Sequence, residues 1–195
     1  DNVVCMSGDD PEIGDHPEAK GVFDLDAIGL LKTVSSLNAG HDLTGNLLSG
    51  HTQFCAGAVA NPGADDLGHE IERLVKKIEA GACFVQTQPV YDFSDFEPFL
   101  TRCASLNVHV LAGIMPLKSV SMAQYLNNHV PGVRVATSTI ERIAGADNIV
   151  SESLAIAAST FTLLKESCSG VHIMAMGWEH HIPELMELAG FSRRN

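Results

Sequence analysis

An apolar run, Asn2-Val-Val-Cys-Met6, stops at Ser7 and opens into a loop that holds Gly8, Asp9, Asp10, Glu12, Asp15 and His16 within a few residues. A strand that ends in Gly-Asp brings backbone close to whatever lies beyond it and offers that neighbour a carboxylate. Four more apolar runs, at 53–59, 83–87, 108–114 and 171–176, end in polar or aromatic residues. They are Ala60-Asn61-Pro62, Gln86-Thr87-Gln88, Met115-Pro116-Leu117-Lys118 and Gly177-Trp178-Glu179. Each of these alone reads equally well as a cap or turn. Together they predict carboxylate, amides, a cation and an aromatic ring converging on one ligand-binding mouth.

The elements that must position these residues alternate between strand and helix. Asp24 is expected to cap a helix that buries Leu25, Ile28, Leu31 and Val34 and stops at Asn38 and Gly40. A second helix, Asp66 to Ala80, carries Leu67, Ile71, Leu74, Val75 and Ile78 on one face and stops at Gly81. Ser94 opens a third through Ala104, and Ser119 a fourth that ends near Asn127 and Asn128. Residues 139–167 read as helical with a break at Gly145-Ala-Asp147, and a last helix runs from Pro183 to Ala189. Such βα alternation implies parallel strands, as a closed barrel or an open doubly wound sheet, and both put function at the C-terminal strand ends.

Composition narrows the possibilities. The 195 residues, 45% of them hydrophobic, are enough for one core, with no linker to divide them, so residues 1–195 read as a single domain. Twelve basic against twenty-four acidic side chains, net −12, disfavour nucleic-acid and anionic-membrane partners, and any anionic ligand must be held by a few local cations. No run reaches the roughly 18–20 apolar residues of a membrane span and no signal core is visible, so a soluble cytoplasmic protein is expected. The first residue, Asp1, reads as a cut or processed end. Cys5, Cys55, Cys83, Cys103 and Cys168 are odd in number and widely spaced, which predicts reduced core residues and neither disulfides nor a zinc ribbon.

Several chemistries lack their signatures. SGDDPEIGD has neither the spacing nor the Lys of a phosphate loop, and no Ser sits in a nucleophile elbow. Glu179-His180-His181 could serve a metal-dependent barrel hydrolase, but adjacent histidines rarely converge on one ion, and no metal site is expected. Glu70, Arg73 and Lys77 fall at i, i+3 and i+7 beside an apolar face, an arrangement ordinarily read as a solvated stripe of charge pairs.

The strings SGDDP, GDHPEAKGVFDLD, NPGADDLGHEIERLVKKIEAGACFVQTQPVYD, LAGIMPLKS and GVHIMAMGWE resemble the methylenetetrahydrofolate reductase family from about Asn2 to Gly190. The resemblance implies a (β/α)₈ TIM barrel of which this chain carries the last five βα units. It also implies flavin-dependent reduction of 5,10-methylenetetrahydrofolate to 5-methyltetrahydrofolate, in one-carbon metabolism and methionine biosynthesis. FAD is the implied cofactor and the folate the substrate, with NAD(P)H, ferredoxin or a partner subunit as electron donor in a homo- or hetero-oligomer. Residue by residue, Asp9 is similar to the catalytic carboxylate beside flavin and pterin, and Gly8 to the backbone that approaches the isoalloxazine. Gln88 matches the amide that hydrogen-bonds the pterin. Asn61, Glu70, Arg73 and Lys77 fall on FAD-binding positions. Ser7 stands where an Arg is common, Asn61 where a His is common, and Trp178 where some members use an Arg on the folate tail. The family's general acid lies on the first strand, and the resemblance begins at the fourth. The alternative expectation is therefore a non-catalytic or incomplete subunit that needs a partner chain to complete the barrel.

Overall fold

Small residues on one strand face let helices come close, and β2 (Cys55–Ala60) shows the pattern: Ala56, Ala58 and Ala60 are buried beneath helices. The alternating Val59, and Asn61 beyond it, line the opposite face, as the two-residue period of a strand requires. The computed structural model describes residues 1–8, 11, 14–16 and 18–191. Asp9 and Asp10 lie outside the described residues.

Four further strands join β2 in one parallel sheet: β1 (Asn2–Val4), β3 (Phe84–Pro89), β4 (His109–Ile114) and β5 (Gly170–Ile173), in the order β1-β2-β3-β4-β5. Between them run α1 (Ala27–Asn38), α2 (Leu67–Glu79), α3 (Phe93–Cys103), α4 (Val120–His129), α5 (Thr137–Ala144) and α6 (Ile149–Leu164), and α7 (Ile182–Leu188) follows β5. Strand order that follows chain order, with a helical crossover at each step, is the progression of a TIM barrel. The sheet curls as an open half-barrel carrying five of the eight βα units, with β1 and β5 as its edges. Its inner face is therefore open to one side.

The helix-side core is one continuous layer from α2 to α7. Phe96 and Phe99 of α3, Leu74 of α2, Leu154, Phe161 and Leu164 of α6, and Leu185 of α7 pack on Val85, Val110, Ala112 and Ile114. A smaller cluster joins Leu31 of α1 to Cys5, Ala56, Ala58, Ala80 and Ala82. A third sets α4, α5 and Ile156 of α6 against Met115, Leu117, Val133 and Val135.

The expected elements are all present, with corrections at their ends. Asp26, not Asp24, caps α1 by accepting from Gly29 N at 2.7 Å, so Leu25 falls before the helix and is exposed. Both aspartates precede the apolar period, and only the second stands directly before the first helical residue, where a cap must sit. Asp92, not Ser94, caps α3, because its carboxylate accepts from both the N–H and the hydroxyl of Ser94. The helical stretch after α4 divides as expected, at Gly145–Asn148, with Asn148 capping α6.

The cysteines divide too. Cys5 and Cys103 are buried, but Cys55 and Cys83 are exposed at the starts of adjacent strands, their sulfurs 2.9 Å apart, because each stands before the helices cover its strand. Burial pushes the Cys103 thiol up to about 12, whereas no such layer covers Cys55. Alkylation requires the thiolate. Iodoacetamide at neutral pH is therefore expected to modify Cys55 well before Cys103, as read by peptide mass mapping over time. Equal labelling rates would show that the core layer over α3 is not formed.

Candidate functional site

β3 is the strand on which the site turns. Gln86 pairs with Leu111 and Pro89 with Gly113, so β3 carries one residue more than β4 between these pairs, a bulge. At the bulge the Thr87 hydroxyl enters the β3–β4 ladder. Thr87 is buried, accepts from Gly113 N at 3.0 Å and donates its hydroxyl proton to Gln88 O at 2.9 Å. Gln88, exposed, faces the open interior with Gln86. A Cβ on Gly113 would stand 2.5 Å from Thr87 O and 2.8 Å from Gln88 O, so the bulge needs glycine beneath it.

Around this bulge lies a cavity of about 390 Å³, lined by Met6, Val59, Asn61, Gln86, Gln88, His172 and Met174 and by the charged trio of α2. The trio is not the solvated stripe that periodicity predicts. Glu70 is 7% and Lys77 4% exposed. The Lys77 amino group donates to Val59 O at 2.6 Å, and Glu70 accepts from Asn61 N at 3.0 Å. Arg73, about half exposed, reaches Glu70 at 3.8 Å. Burial drives the Lys77 amine below its ordinary value, the Glu70 carboxylate pulls it partly back, and Arg73 adds a smaller push downward. Two buried charges fastened to the C-terminal end of β2 form a rigid polar wall. Arg73 and the remaining donors of Lys77 can hold an anionic or polyhydroxylated group there.

Asn61 contributes more to shape than to charge. Its amide donates to Pro131 O at 2.9 Å and accepts from Gly63 N at 3.2 Å, tying the α4–α5 connection to the end of β2. Gly8 is exposed, and among the described residues nothing beyond its chain neighbours lies within 4 Å of where a Cβ would stand. Asp9, the expected catalytic carboxylate, lies outside the described residues.

The expected convergence of all five strand ends is only partly realised. Lys118 hydrogen-bonds Met176 O and stands 5.7 Å over the Trp178 ring, while Glu179 accepts from Gly177 N at 3.0 Å. These residues form a separate cluster on a turn where Met176 and Gly177 both take positive φ, 53° and 87°. The turn spends the Lys118 ammonium on its own backbone. His180 and His181 lie ring to ring at 4.0 Å, and among the described residues no three His, Cys, Asp or Glu side chains stand close enough to hold a metal. A second cleft of about 350 Å³, lined by Asp65, Tyr91, Asp92, Asp95 and Arg134, lies between the β2–α2 and β3–α3 connections, away from the inner face.

Sequence reasoning missed Met6, Val59, His172 and Met174. The strand period marks them as inward-facing, but apolar residues and a mid-strand His carry no motif. His172 lies opposite Gly113 on β4, and its Nε2 is 2.8 Å from Thr87 O.

Fold and site together define a parallel βα half-barrel with a polar ligand cavity at the C-terminal mouth of its strands. The sequence profile described as methylenetetrahydrofolate reductase matches residues 1–190, and the chain belongs to this family. It is 26% identical over 161 residues to methylenetetrahydrofolate reductase 2 of Schizosaccharomyces pombe, covering 74% of this chain and 23% of that protein. It is 25% identical over 149 residues to 5,10-methylenetetrahydrofolate reductase of Salmonella typhimurium, covering 75% of this chain and 45% of that one. The chain thus spans less than half the length of these curated relatives. Among solved structures, a Clostridium thermocellum protein that binds two copies of 5-methyl-5,6,7,8-tetrahydrofolic acid aligns with TM-score 0.47 at 20% identity, over 70% of this chain and 52% of its own. No helix among the described residues is long and apolar enough to cross a membrane.

The His172 ring titrates below its ordinary value of 6.5, because burial disfavours the imidazolium more than the bond to Thr87 O favours it. A base with a lowered folded-state pKa takes up protons first in the unfolded chain. Stability is therefore unaffected by this group above the ordinary pKa, and falls as pH drops through it until the folded ring also protonates. Urea denaturation from about pH 7.5 to about pH 5.5 is expected to show a smaller stability loss in His172→Gln than in the wild type. Equal losses would mean that the ring is solvated.

Proposed function

We propose that residues 1–195 form part of a methylenetetrahydrofolate reductase barrel, supplying its flavin- and folate-binding wall. The chain becomes competent only when further βα units, from the same polypeptide or a partner, close against β1 and β5. The observation that carries this reading is the open sheet: among the described residues the cavity has walls from β2, β3 and β5 and none between the two free edges. Eight strands are needed to close such a barrel, and parallel strands left open expose a core face and two rows of unpaired backbone groups.

The residues present fit FAD on one side. Lys77 and Arg73 provide cations at a fixed place in a chain of net −12, Glu70 holds Arg73 from behind, and Asn61 fixes the loop beside them. FAD, when bound, supplies the hydride chemistry. Gln88 can donate to and accept from a pterin edge at once, and the bulge holds it toward the cavity. By resemblance, Asp9 supplies the negative charge that favours a cationic folate carbon, which is the electrostatic role a carboxylate can perform there. None of the cavity side chains described is a free carboxylic acid, since Glu70 is committed to Asn61 and Arg73. The resemblance puts the general acid for folate ring opening on the family's first strand, and we assign that proton to the closing units.

Expressed alone, the 195-residue chain is expected to self-associate on gel filtration and to retain no FAD. Co-expressed with three additional N-terminal βα units of a relative, it is expected to be monodisperse and yellow, and to oxidise 5-methyltetrahydrofolate with an artificial acceptor. A monomer that binds FAD and turns over unaided would overturn the need for closing units. A closed barrel without flavin would overturn the reductase reading. In the closed protein, Gln88→Ala leaves pterin groups unpaired at about 1–3 kcal/mol each. It is expected to weaken folate binding by roughly ten- to a hundredfold with FAD content preserved. Loss of flavin instead would move Gln88 to the cofactor.

A further inference from the structure

The carbonyl of Thr87 has lost its place in the β3–β4 ladder. At the bulge Gly113 N bonds the Thr87 hydroxyl at 3.0 Å, and Gly113 O is taken by Val90 N at 2.9 Å. Thr87 O is left over the bare Cα of Gly113, in a buried position where an unpartnered acceptor is costly. The partner comes from β5, a strand that does not pair with β3. His172 of β5 is the register mate of Gly113, and its Nε2 comes within 2.8 Å of Thr87 O, from 85 residues along the chain. A carbonyl can only accept, so Nε2 carries the proton and the neutral ring has its lone pair on Nδ1.

We propose that His172 is a positioning residue: its Nε2–H latches the β3 bulge across Gly113 and so sets where the Gln88 amide stands in the cavity. This rests on the reading of that cavity as the folate site. Thr87 links the two directly, since its carbonyl takes the His172 proton while its hydroxyl binds the carbonyl of Gln88. Without the latch, the Thr87–Gln88 peptide is free to turn its carbonyl toward solvent in the open interior, and the Gln88 side chain turns with it. Gly113 is essential to the same device, because a Cβ there would stand 2.5 Å from Thr87 O and displace the acceptor that the imidazole meets.

The test uses the closed holoenzyme with His172→Phe, which keeps a ring but removes the donor, and His172→Gln, which keeps an N–H near the Nε2 position. His172→Phe is expected to weaken 5-methyltetrahydrofolate binding about tenfold, to raise KM more than it lowers kcat, and to speed hydrogen exchange at the Val90 and Gly113 amides. His172→Gln is expected to restore most of both. Wild-type affinity and exchange in His172→Phe, or a His172→Gln as defective as His172→Phe, would overturn the latch. The ¹⁵N spectrum of the wild-type histidines needs no variant: a neutral His172 with its proton on Nδ1 would overturn it as well. If the wild-type holoenzyme binds no folate, the folate reading of the cavity fails, and the exchange rates and tautomer still decide whether the latch exists.

Discussion

A parallel strand with one residue more than its neighbour must find new partners for the backbone groups that the ladder no longer serves. At Gln86–Pro89 the mouth of this half-barrel is organised around that requirement. Pro89 has no N–H to lose, Thr87 folds its hydroxyl back onto the chain, and Gly113 lends both of its backbone groups. With these in place, Gln86 and Gln88 share the cavity face, two residues apart as the strand period requires.

The second constraint is electrostatic. Lys77 and Glu70 are buried in a chain with twice as many acidic as basic side chains, and burial of either charge alone would be costly. Each is instead tied to β2 backbone or its extension, Lys77 to Val59 O and Glu70 to Asn61 N. A well-packed apolar pair would suit stability as well or better. The retention of charge at the strand end therefore fits a polar ligand better than it fits a stability role. The lowered Lys77 pKa, caused first by desolvation, is the cost that the fold bears for it.

Much of this was legible in sequence, and the limits have physical causes. The βα order followed from apolar runs separated by periodic segments, and the helix caps were missed only where two candidate residues stood close together, Asp24 beside Asp26 and Asp92 beside Ser94. The stripe at 70, 73 and 77 was visible as spacing, but its burial was not. Helical periodicity gives neighbours on a face and says nothing of the strand end that face meets. The bulge was invisible because it is a relation between two strands. The same holds for His172, whose partner lies 85 residues away, and for Lys118, whose spacing offered it to a ligand while its nearest acceptor was the Met176 carbonyl.

The free edges link these local devices to the whole. β1 is held to β2 by a register of only Asn2–Val4, and β5 to β4 by Leu111–Ile114 against Gly170–Ile173. Both edges are short, and short edge pairings open readily. Yet Met6, just beyond β1, and His172 and Met174, on and just beyond β5, are cavity residues, so the lining is supplied in part by the least secure strands of the sheet. Whatever pairs with those edges must stabilise the lining, and whatever binds the lining must by mass action stabilise the pairing. Closure and ligand binding are thus expected to be thermodynamically coupled, and the β3 bulge shares in that coupling through His172 of β5.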